Sequence, residues 1–268
     1  MTAGLVAVLA AGVASAKDEV VIVDQTVVVE EAASVEVTAE TALISSYVWR
    51  GQVRNNGFVV QPQLTVAKGD FSFNVWGNYD LEENYQGSEN ELSEIDLSLA
   101  YTLPLDINEM AFDVGLINYS FPNTGDDESS DSTTELFVSA TVLSWADILI
   151  PSFTLFGDIG NGDGTYFLID LVFPYEVSEY LSIEGGVSMG YGSTSYNDYY
   201  WDNGSSKDDG MNDYNFYCNA GYEIAENLTA SLNLTYTVLE GGEIDSAAND
   251  IYEDNEKFWG GVNLAYDF

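Results

Sequence analysis

The end of the chain alternates between apolar and polar positions. Residues 257–268 read KFWGGVNLAYDF. Successive side chains of a strand point to opposite faces, so one face of this segment carries Phe258, Gly260, Val262, Leu264, Tyr266 and Phe268. The opposite face carries Trp259, Gly261, Asn263, Ala265 and Asp267. An apolar face that ends in aromatic residues, set against a more polar face, is typical of a strand with lipid on one side and water on the other.

Comparable segments recur along the chain, and each has about the ten residues that a tilted strand needs to cross a bilayer. The candidate strands are residues 41–50, 58–67, 71–80, 94–103, 110–119, 133–142, 152–159, 165–175, 181–191, 213–223, 228–239 and 257–268. Soluble β-sandwiches also alternate in this way. The alternation therefore predicts strands but does not decide between a sandwich and a barrel.

The connections between these segments favour a barrel. Most of them alternate between short turns (68–70, 105–109, 176–180 and 224–227) and long loops (81–93, 120–132, 192–212 and 240–256). Residues 143–151 and 160–164 fit this pattern least well. Outer-membrane barrels have short periplasmic turns and longer extracellular loops. We therefore predict an all-β fold, a transmembrane antiparallel up-and-down barrel of about twelve strands.

The start of the chain predicts a targeting segment. Residues 1–16, MTAGLVAVLAAGVASA, contain a short apolar run followed by Ala14-Ser15-Ala16. This order resembles the apolar region and cleavage site of a secretory signal peptide, although the basic region that normally precedes them is missing. We predict a signal peptide that is truncated or weak, a periplasmic extension over residues 17–38, and the barrel over residues 39–268 in the outer membrane of a bacterium.

The composition excludes several functions. The chain has 45 acidic and 6 basic residues, a net charge of -39, so a nucleic acid would be repelled. Its 18 Tyr and 13 Phe distinguish it from a disordered acidic chain. The absence of histidine removes Ser-His and Cys-His catalysis. Two carboxylates suffice for glycoside chemistry, but no spacing marks such a pair, and we predict that the protein is not an enzyme.

Two segments carry a family resemblance. Residues 45–51, Ser-Ser-Tyr-Val-Trp-Arg-Gly, resemble the opening strand of the TorF family of porins, and residues 264–268, Leu-Ala-Tyr-Asp-Phe, resemble the terminal strand of outer-membrane barrels in general. The resemblance covers roughly residues 40–268 and implies an outer-membrane location and a channel role. It implies no catalytic or binding residues. The scarcity of basic residues argues against a preference for anions.

The alternation also assigns residues to the lumen. If the apolar face contacts lipid, the candidate pore-lining residues are Arg50, Asn74, Asp96, Asp113, Asp170, Glu184 and Asn219. Charged side chains in lipid are costly, so a polar lumen implies water. We predict a cation-favouring lumen in which Arg50 is the main counter-charge, with Arg50 and Asp96 toward the long loops, Asp170 near mid-height, and Asp113 and Glu184 toward the short turns. Alternatively, these groups pair with one another and plug a narrow barrel.

One Gly-rich segment suggests a cation site. Residues 158–164 resemble half of a calcium loop, with ligand oxygens at Asp158, Asn161 and Asp163, but the downstream Glu of such loops is missing. A Gly-rich turn explains the segment more economically. No other cofactor is predicted. The acidic long loops either concentrate cations by their field, bind divalent ions, or form a solvated surface.

The leading hypothesis is an outer-membrane, porin-like channel for passive diffusion of small hydrophilic solutes or ions. The alternative is a non-transporting barrel that acts as a structural anchor or adhesin through its acidic loops. A soluble ligand-binding sandwich ranks third. The predicted partners are the lipid bilayer of the outer membrane and small solutes or cations, without nucleic acid, and a homo-oligomer is left open.

Overall fold

The computed structural model describes residues 34–84, 89–122, 132–143, 148–202, 204–205, 207–239, 242–252 and 255–268. The predicted signal peptide, residues 17–33, and most of the acidic loop over residues 120–132 lie outside the described residues. In the described part, no helix is long and apolar enough to cross a membrane.

The described chain is dominated by β-strands. They are β1 (Val35–Ile44), β2 (Tyr47–Trp49), β3 (Gln52–Asn55), β4 (Val59–Lys68), β5 (Phe71–Asp80), β6 (Glu91–Thr102), β7 (Met110–Ser120), β8 (Thr133–Val142), β9 (Ile150–Asp158), β10 (Thr165–Glu176), β11 (Leu181–Gly192), β12 (Gly210–Ala225), β13 (Leu228–Leu239) and β14 (Glu256–Asp267). All except β2 and β3 form a closed barrel. β1 pairs antiparallel with both β4 and β14, and the terminal strand thereby closes the ring. The predicted barrel of about twelve strands is confirmed.

The period-2 pattern separates the two faces of the wall. Along β6, Glu94, Asp96 and Ser98 are buried inside the barrel, whereas Leu97 and Leu99 are exposed on its outside. The same separation holds along β5, β13 and β14. A closed ring leaves no unpaired strand edge, and within this ring the period-2 pattern sets the direction in which each side chain points.

The connections define two rims. The short-turn rim contains residues 69–70, 103–109, 177–180 and 226–227, together with the beginning of β1 and the end of β14. The opposite end, here called the long-loop rim, contains residues 45–58, 81–84, 89–90, 159–164, 193–202, 204–205, 207–209 and 242–252. The predicted alternation of short and long connections is thus confirmed for the described residues.

The first strand differs from the prediction. β1 is Val35–Ile44 and not residues 41–50, so it begins inside the predicted extension over residues 17–38. Glu36 of this extension does not interrupt the strand, since it pairs with Ala67 of β4. Ser45 still donates a backbone hydrogen bond to Gly260 of β14, and residues 46–50 then leave the wall and enter the barrel mouth.

Two helices lie within connections that were predicted to be loops. Helix α1 (Thr194–Tyr200) begins after Ser193, whose hydroxyl accepts a hydrogen bond from the amide of Tyr196, as an N-cap residue does. Helix α2 (Glu243–Tyr252) buries Ile244, Ala247, Ala248 and Tyr252 on one face. Both helices therefore cover the long-loop rim.

Candidate functional site

A hairpin made of β2 and β3 occupies the barrel mouth at the long-loop rim. It interrupts the path between neighbouring wall strands β1 and β4. In the closed ring, β9 is six strands away from β1 in either direction. The tip of the hairpin nevertheless contacts β8, β9 and β10. The hairpin therefore crosses the lumen from one wall to the opposite one.

The turn of the hairpin has a backbone that requires glycine. Trp49 pairs with Gln52, which leaves Arg50 and Gly51 as a two-residue turn. Both residues have positive φ angles, 47° and 83°, as a type I′ hairpin turn demands. A Cβ atom on Gly51 would lie 2.3 Å from Leu239 Cδ2. The Arg-Gly sequence therefore fixes both the turn and its close approach to the wall.

Arg50 forms a bidentate ion pair with Glu135 of β8. Its Nη1 and Nη2 atoms donate hydrogen bonds of 2.8 and 2.7 Å to Oε1 and Oε2. The exposed fractions of the two side chains are 6% and 1%. Tyr119 of β7 donates a further hydrogen bond of 2.9 Å to Glu135 Oε2. The carboxylate is thus oriented by the wall as well as by the hairpin.

Aromatic rings surround the same guanidinium group. Its Cζ atom lies 4.3 Å from the ring centre of Phe156, 4.4 Å from that of Tyr166 and 5.7 Å from that of Tyr196. These distances are within the range of cation–π attraction. We call Glu135, Phe156, Tyr166 and Tyr196 the guanidinium cage; its members belong to β8, β9, β10 and α1.

The cage keeps Arg50 charged. Burial acts to lower the pKa of Arg50, but the charges and hydrogen bonds around it, led by Glu135, act in the opposite direction and raise the pKa above its ordinary value. Trp49 adds a ring centre 4.6 Å from the same Cζ atom, from the hairpin itself. A full positive charge is therefore held inside the barrel mouth.

The wall of the cage is positioned by hydrogen bonds of its own. Tyr166 donates a bond of 2.7 Å to Asp213 of β12, and Asn215 donates one of 2.9 Å to the other oxygen of that carboxylate. A Cβ atom on Gly190 would lie 1.9 Å from the Tyr166 hydroxyl oxygen. The glycine therefore makes room for the Tyr166–Asp213 contact, which does not involve Arg50.

The outer side of the hairpin is covered by α2. Tyr47, Val48 and Val53 belong to one buried apolar cluster with Ile244, Ala247 and Ala248 of the helix. Tyr252 donates a hydrogen bond of 2.8 Å to Gln52 Oε1. The hairpin is held between the cage on the inside and a helix on the outside, and both must release it before it can leave the mouth.

Below the hairpin, several of the predicted lumen residues of the wall are hydrogen-bonded to neighbouring strands. Asp170 accepts a hydrogen bond of 2.8 Å from Tyr217, and Asp113 accepts one of 2.6 Å from Thr102. The donors to these carboxylates are uncharged side chains. Asp170 lies in the middle of β10, and Asp113 lies near the short-turn end of β7.

The amide residues of the lumen are bonded in the same way. Asn219 donates a bond of 2.7 Å to Glu184 and accepts one of 2.9 Å from Asn233. Asn74 donates a bond of 2.9 Å to Thr65. Polar ladders of this kind line the wall toward the short-turn rim.

Arg50 is the exception among the predicted lumen residues. The prediction placed it on a wall strand as the counter-charge to the luminal acids, whereas it lies at the tip of the hairpin and pairs with Glu135. Asp96 does lie toward the long-loop rim, opposite Tyr119 in the β6–β7 register. Arg50 therefore lies at the long-loop rim, but in the turn of a hairpin and not on a wall strand.

Comparison with known proteins adds a family. A family model described as a bacterial protein of unknown function (Gcw_chp) matches residues 29–240. The chain belongs to the Gcw_chp family. No curated protein matches the sequence. The comparisons agree with the porin-type barrel of the sequence resemblance, but they do not support the TorF family specifically.

Solved porins share the fold of this Gcw_chp protein. A KdgM porin in complex with disordered oligogalacturonate aligns with a TM-score of 0.52 at 8% identity, covering 87% of this chain and 99% of that one. The NanC porin aligns with a TM-score of 0.51 at 12% identity, also covering 87% of this chain and 99% of that one. At such identities the likeness shows the fold alone.

The predicted calcium ligands of the Gcw_chp protein are engaged in a turn. Asp158 accepts hydrogen bonds from Thr133 Oγ1 at 2.7 Å and from the amide of Gly160 at 2.8 Å. Asp163 accepts a hydrogen bond from the next amide, and the Asn161 amide group donates to the carbonyl of Ser132. Within the described ranges no group of three or more His, Cys, Asp or Glu residues could hold a metal. The geometry favours the Gly-rich turn.

The sequence patterns missed the whole cage. Phe156 and Tyr166 lie on the inward face of strands whose outward face is also apolar, with Phe153 and Leu155 on β9. The alternation of apolar and polar residues therefore could not show which aromatic side chains of these strands face the lumen. One feature of the sequence could have predicted the cage. Near one rim, β9 and β10 carry apolar residues on both faces, and apolar residues on the inner face indicate that a further element packs inside the barrel.

Proposed function

We propose that this Gcw_chp protein is an outer-membrane, porin-like channel for passive diffusion of small hydrophilic solutes or ions, and that it favours cations. The observation that carries the proposal is the closed barrel with an apolar outer face and a polar inner face. Such a wall satisfies its backbone internally, as a membrane-spanning structure must. A polar interior is typical of barrels that hold water.

The cation preference follows from the charges of the lumen. Asp113, Asp170 and Glu184 have hydrogen-bond donors from Thr, Ser, Tyr and Asn side chains, and Arg50 is engaged elsewhere by Glu135. Acidic groups in a low-dielectric cleft raise the local concentration of cations. The oligogalacturonate named for the KdgM porin is an acidic sugar chain, and the same charges argue against such a solute for this protein.

The hairpin obstructs the long-loop mouth, so conduction depends on its displacement. Its tip is fixed by the ion pair with Glu135 and its outer side by α2. Loops that fold over a site commonly move on microsecond to millisecond timescales. We therefore propose a channel that is closed in this conformation and conducts when the hairpin leaves.

The alternative is a non-transporting anchor or adhesin. It is favoured by the filled mouth and by luminal side chains that bond to one another, as in Asn233, Asn219 and Glu184. In that case the acidic rim would be the working surface. The signal peptide, the outer-membrane location and homo-oligomerisation remain predictions on either proposal, and so does the TorF resemblance of residues 45–51.

Single-channel conductance of the refolded full chain in a planar bilayer, with a salt gradient, tests the proposal. The wild type is compared with a variant in which residues 47–55 are replaced by a short Gly-Ser linker. We expect long-lived, cation-selective steps from the linker variant and rare or smaller steps from the wild type. A linker variant that shows the heat-modifiable migration of a folded barrel but no conductance would overturn the channel and favour the anchor.

A further inference from the structure

We infer that the guanidinium cage is a binding site for an external guanidinium compound, and that Arg50 fills it as an intramolecular ligand. Its four members lie on three wall strands and on α1, and none belongs to the hairpin. Glu135, Phe156 and Tyr166 therefore stay on the wall when the hairpin leaves. Such a compound would displace Arg50 and thereby open the barrel. This consequence for gating rests on the proposed channel function.

The side chains of the cage match the planar shape, the positive charge and the parallel N–H donors of a guanidinium group. Both carboxylate oxygens of Glu135 accept hydrogen bonds from two different nitrogens of the guanidinium group, at 2.8 and 2.7 Å. Parallel bonds of this kind fit a guanidinium group and not the point charge of an ammonium group. The rings of Phe156 and Tyr166, at 4.3 and 4.4 Å, present π-faces to the same carbon. The combination favours a planar cation and disfavours anions.

The cage is formed in advance of its ligand. Tyr119 orients Glu135 from β7, and Asp213 orients Tyr166 from β12. Neither hydrogen bond uses Arg50. A wall that keeps its geometry without the ligand loses little freedom on binding. An emptied cage also contains a carboxylate whose exposed fraction is 1% in this structure, and a buried charge without a partner favours capture of a cation.

External ligands reach the cage through an acidic mouth. The long-loop rim carries Glu82, Glu89, Asp202, Asp208, Asp209 and Glu243. The field of such a surface concentrates small cations. Arg50 itself competes as a tethered ligand, and short tethers give effective concentrations in the millimolar range. In the wild type, an external guanidinium compound must therefore be present above that effective concentration to displace Arg50 from the cage. In a protein without the Arg50 side chain, it has no such competitor.

The experiment uses N-propylguanidinium, which reproduces the guanidinium group and the three-carbon stem of an arginine side chain, of which Arg50→Ala keeps only Cβ. The refolded full-length R50A protein in detergent is unfolded by denaturant at increasing concentrations of this compound. N-propylurea, which has nearly the same shape but no charge, is the matched control ligand. We expect a saturable rise in the R50A midpoint with propylguanidinium, no rise with propylurea, and a much smaller rise in the wild type. In R50A/E135Q the affinity should fall by roughly tenfold or more, because a charged pair of hydrogen bonds is lost.

A second measurement does not depend on the folding of R50A. In the wild type, an excess of propylguanidinium should increase the hydrogen exchange of amides 47–55, and propylurea should not. Equal responses to both compounds, or a rise in the R50A midpoint that E135Q leaves unchanged, would overturn the site. Neither measurement uses conductance, so saturable binding to a protein whose linker variant does not conduct would refute the channel and leave the site standing.

Discussion

Arg50 and Glu135 meet inside the barrel mouth, where the tip of a hairpin from one wall forms two hydrogen bonds, of 2.8 and 2.7 Å, with a strand of the opposite wall. The chain has 6 basic residues against 45 acidic ones. One of the few cations thus pairs at the mouth with a carboxylate of the wall, and not with Asp113, Asp170 or Glu184 deeper in the lumen. Removal of either partner leaves the other as a buried charge, which makes this contact the most sensitive point of the closure.

Glu135→Gln should open the barrel. The variant keeps an acceptor for Arg50 but loses the charge, and breaking a buried ion pair on one side costs about 3–5 kcal/mol. Much of this cost should weaken docking of the hairpin and leave the wall closed. The backbone pairing of β8 with β7 and β9 does not involve the Glu135 side chain and is unchanged in the variant. We expect a higher open probability in single-channel recordings, with heat-modifiable migration unchanged.

Glu176→Gln is the matched control for this variant, since Glu176 is an exposed residue at the short-turn end of β10. It makes the same change of charge far from the hairpin and should leave the open probability as in the wild type. Equal opening in the two variants would show that net charge, and not the contact with Arg50, controls the channel.

Gly51→Ala should loosen the hairpin by a steric route. Gly51 has a φ of 83°, and its added Cβ would lie 2.3 Å from Leu239 Cδ2. Strain at such a φ costs of the order of 1–3 kcal/mol, and the clash adds to it. Gly204→Ala isolates the strain, because Gly204 has a φ of 81° and nothing within 4 Å of the added atom. Limited proteolysis within residues 47–55 should be faster in G51A than in G204A. Similar rates in both variants would indicate that the tip is not packed against the wall.

Asp170→Asn should reduce cation preference, and the linker variant is the suitable background because its mouth is open. Asparagine keeps the oxygen that accepts the hydrogen bond from Tyr217, so the fold should be preserved while one luminal charge is lost. The reversal potential in a salt gradient should move toward zero. Asp106→Asn removes a charge from an exposed position on the short-turn rim, and screening over about 8 Å in physiological salt should leave the reversal potential nearly unchanged. An unchanged reversal potential in D170N would count against a luminal role for Asp170.

The wall was predictable because one physical rule fixes it. A strand between two media alternates with period 2, and residues 94–102 of β6 and 228–238 of β13 do so. The hairpin was not predictable by that rule, since residues 45–50 continue the alternation of β1 as if they extended the strand. Only the Arg50-Gly51 pair, with its positive φ angles, ends the extension, and a single Gly after a polar residue is a weak turn signal.

Helix α2 was predictable but was assigned to a loop. Residues 243–252 place Ile244, Ala247, Ala248 and Ile251 at helical spacing, which is the pattern of an amphipathic helix. The acidic residues around this face made the segment resemble a solvated loop. Tyr47 and Trp49 belong to the segment that resembles an opening wall strand; they pack in the hairpin, where Tyr47 contacts Trp76 at a ring distance of 5.6 Å.

Two adjacent residues of β13 test whether the outer face of the barrel lies in lipid. Leu234 points outward with 39% of its surface exposed, whereas Asn233 is buried on the inner face, where it donates a hydrogen bond to Asn219. Lysine on a lipid face near the midplane of a bilayer costs about 2–4 kcal/mol. Lysine at position 233 enters an acidic lumen, beside the contact between Asn219 and Glu184, and should cost less.

The free energies of unfolding, measured by urea titration in lipid vesicles, should therefore fall more in Leu234→Lys than in Asn233→Lys. In detergent micelles, where the outer face is more hydrated, the difference should shrink. If Leu234→Lys is as stable as Asn233→Lys in vesicles, the outer face of the barrel is not immersed in a bilayer.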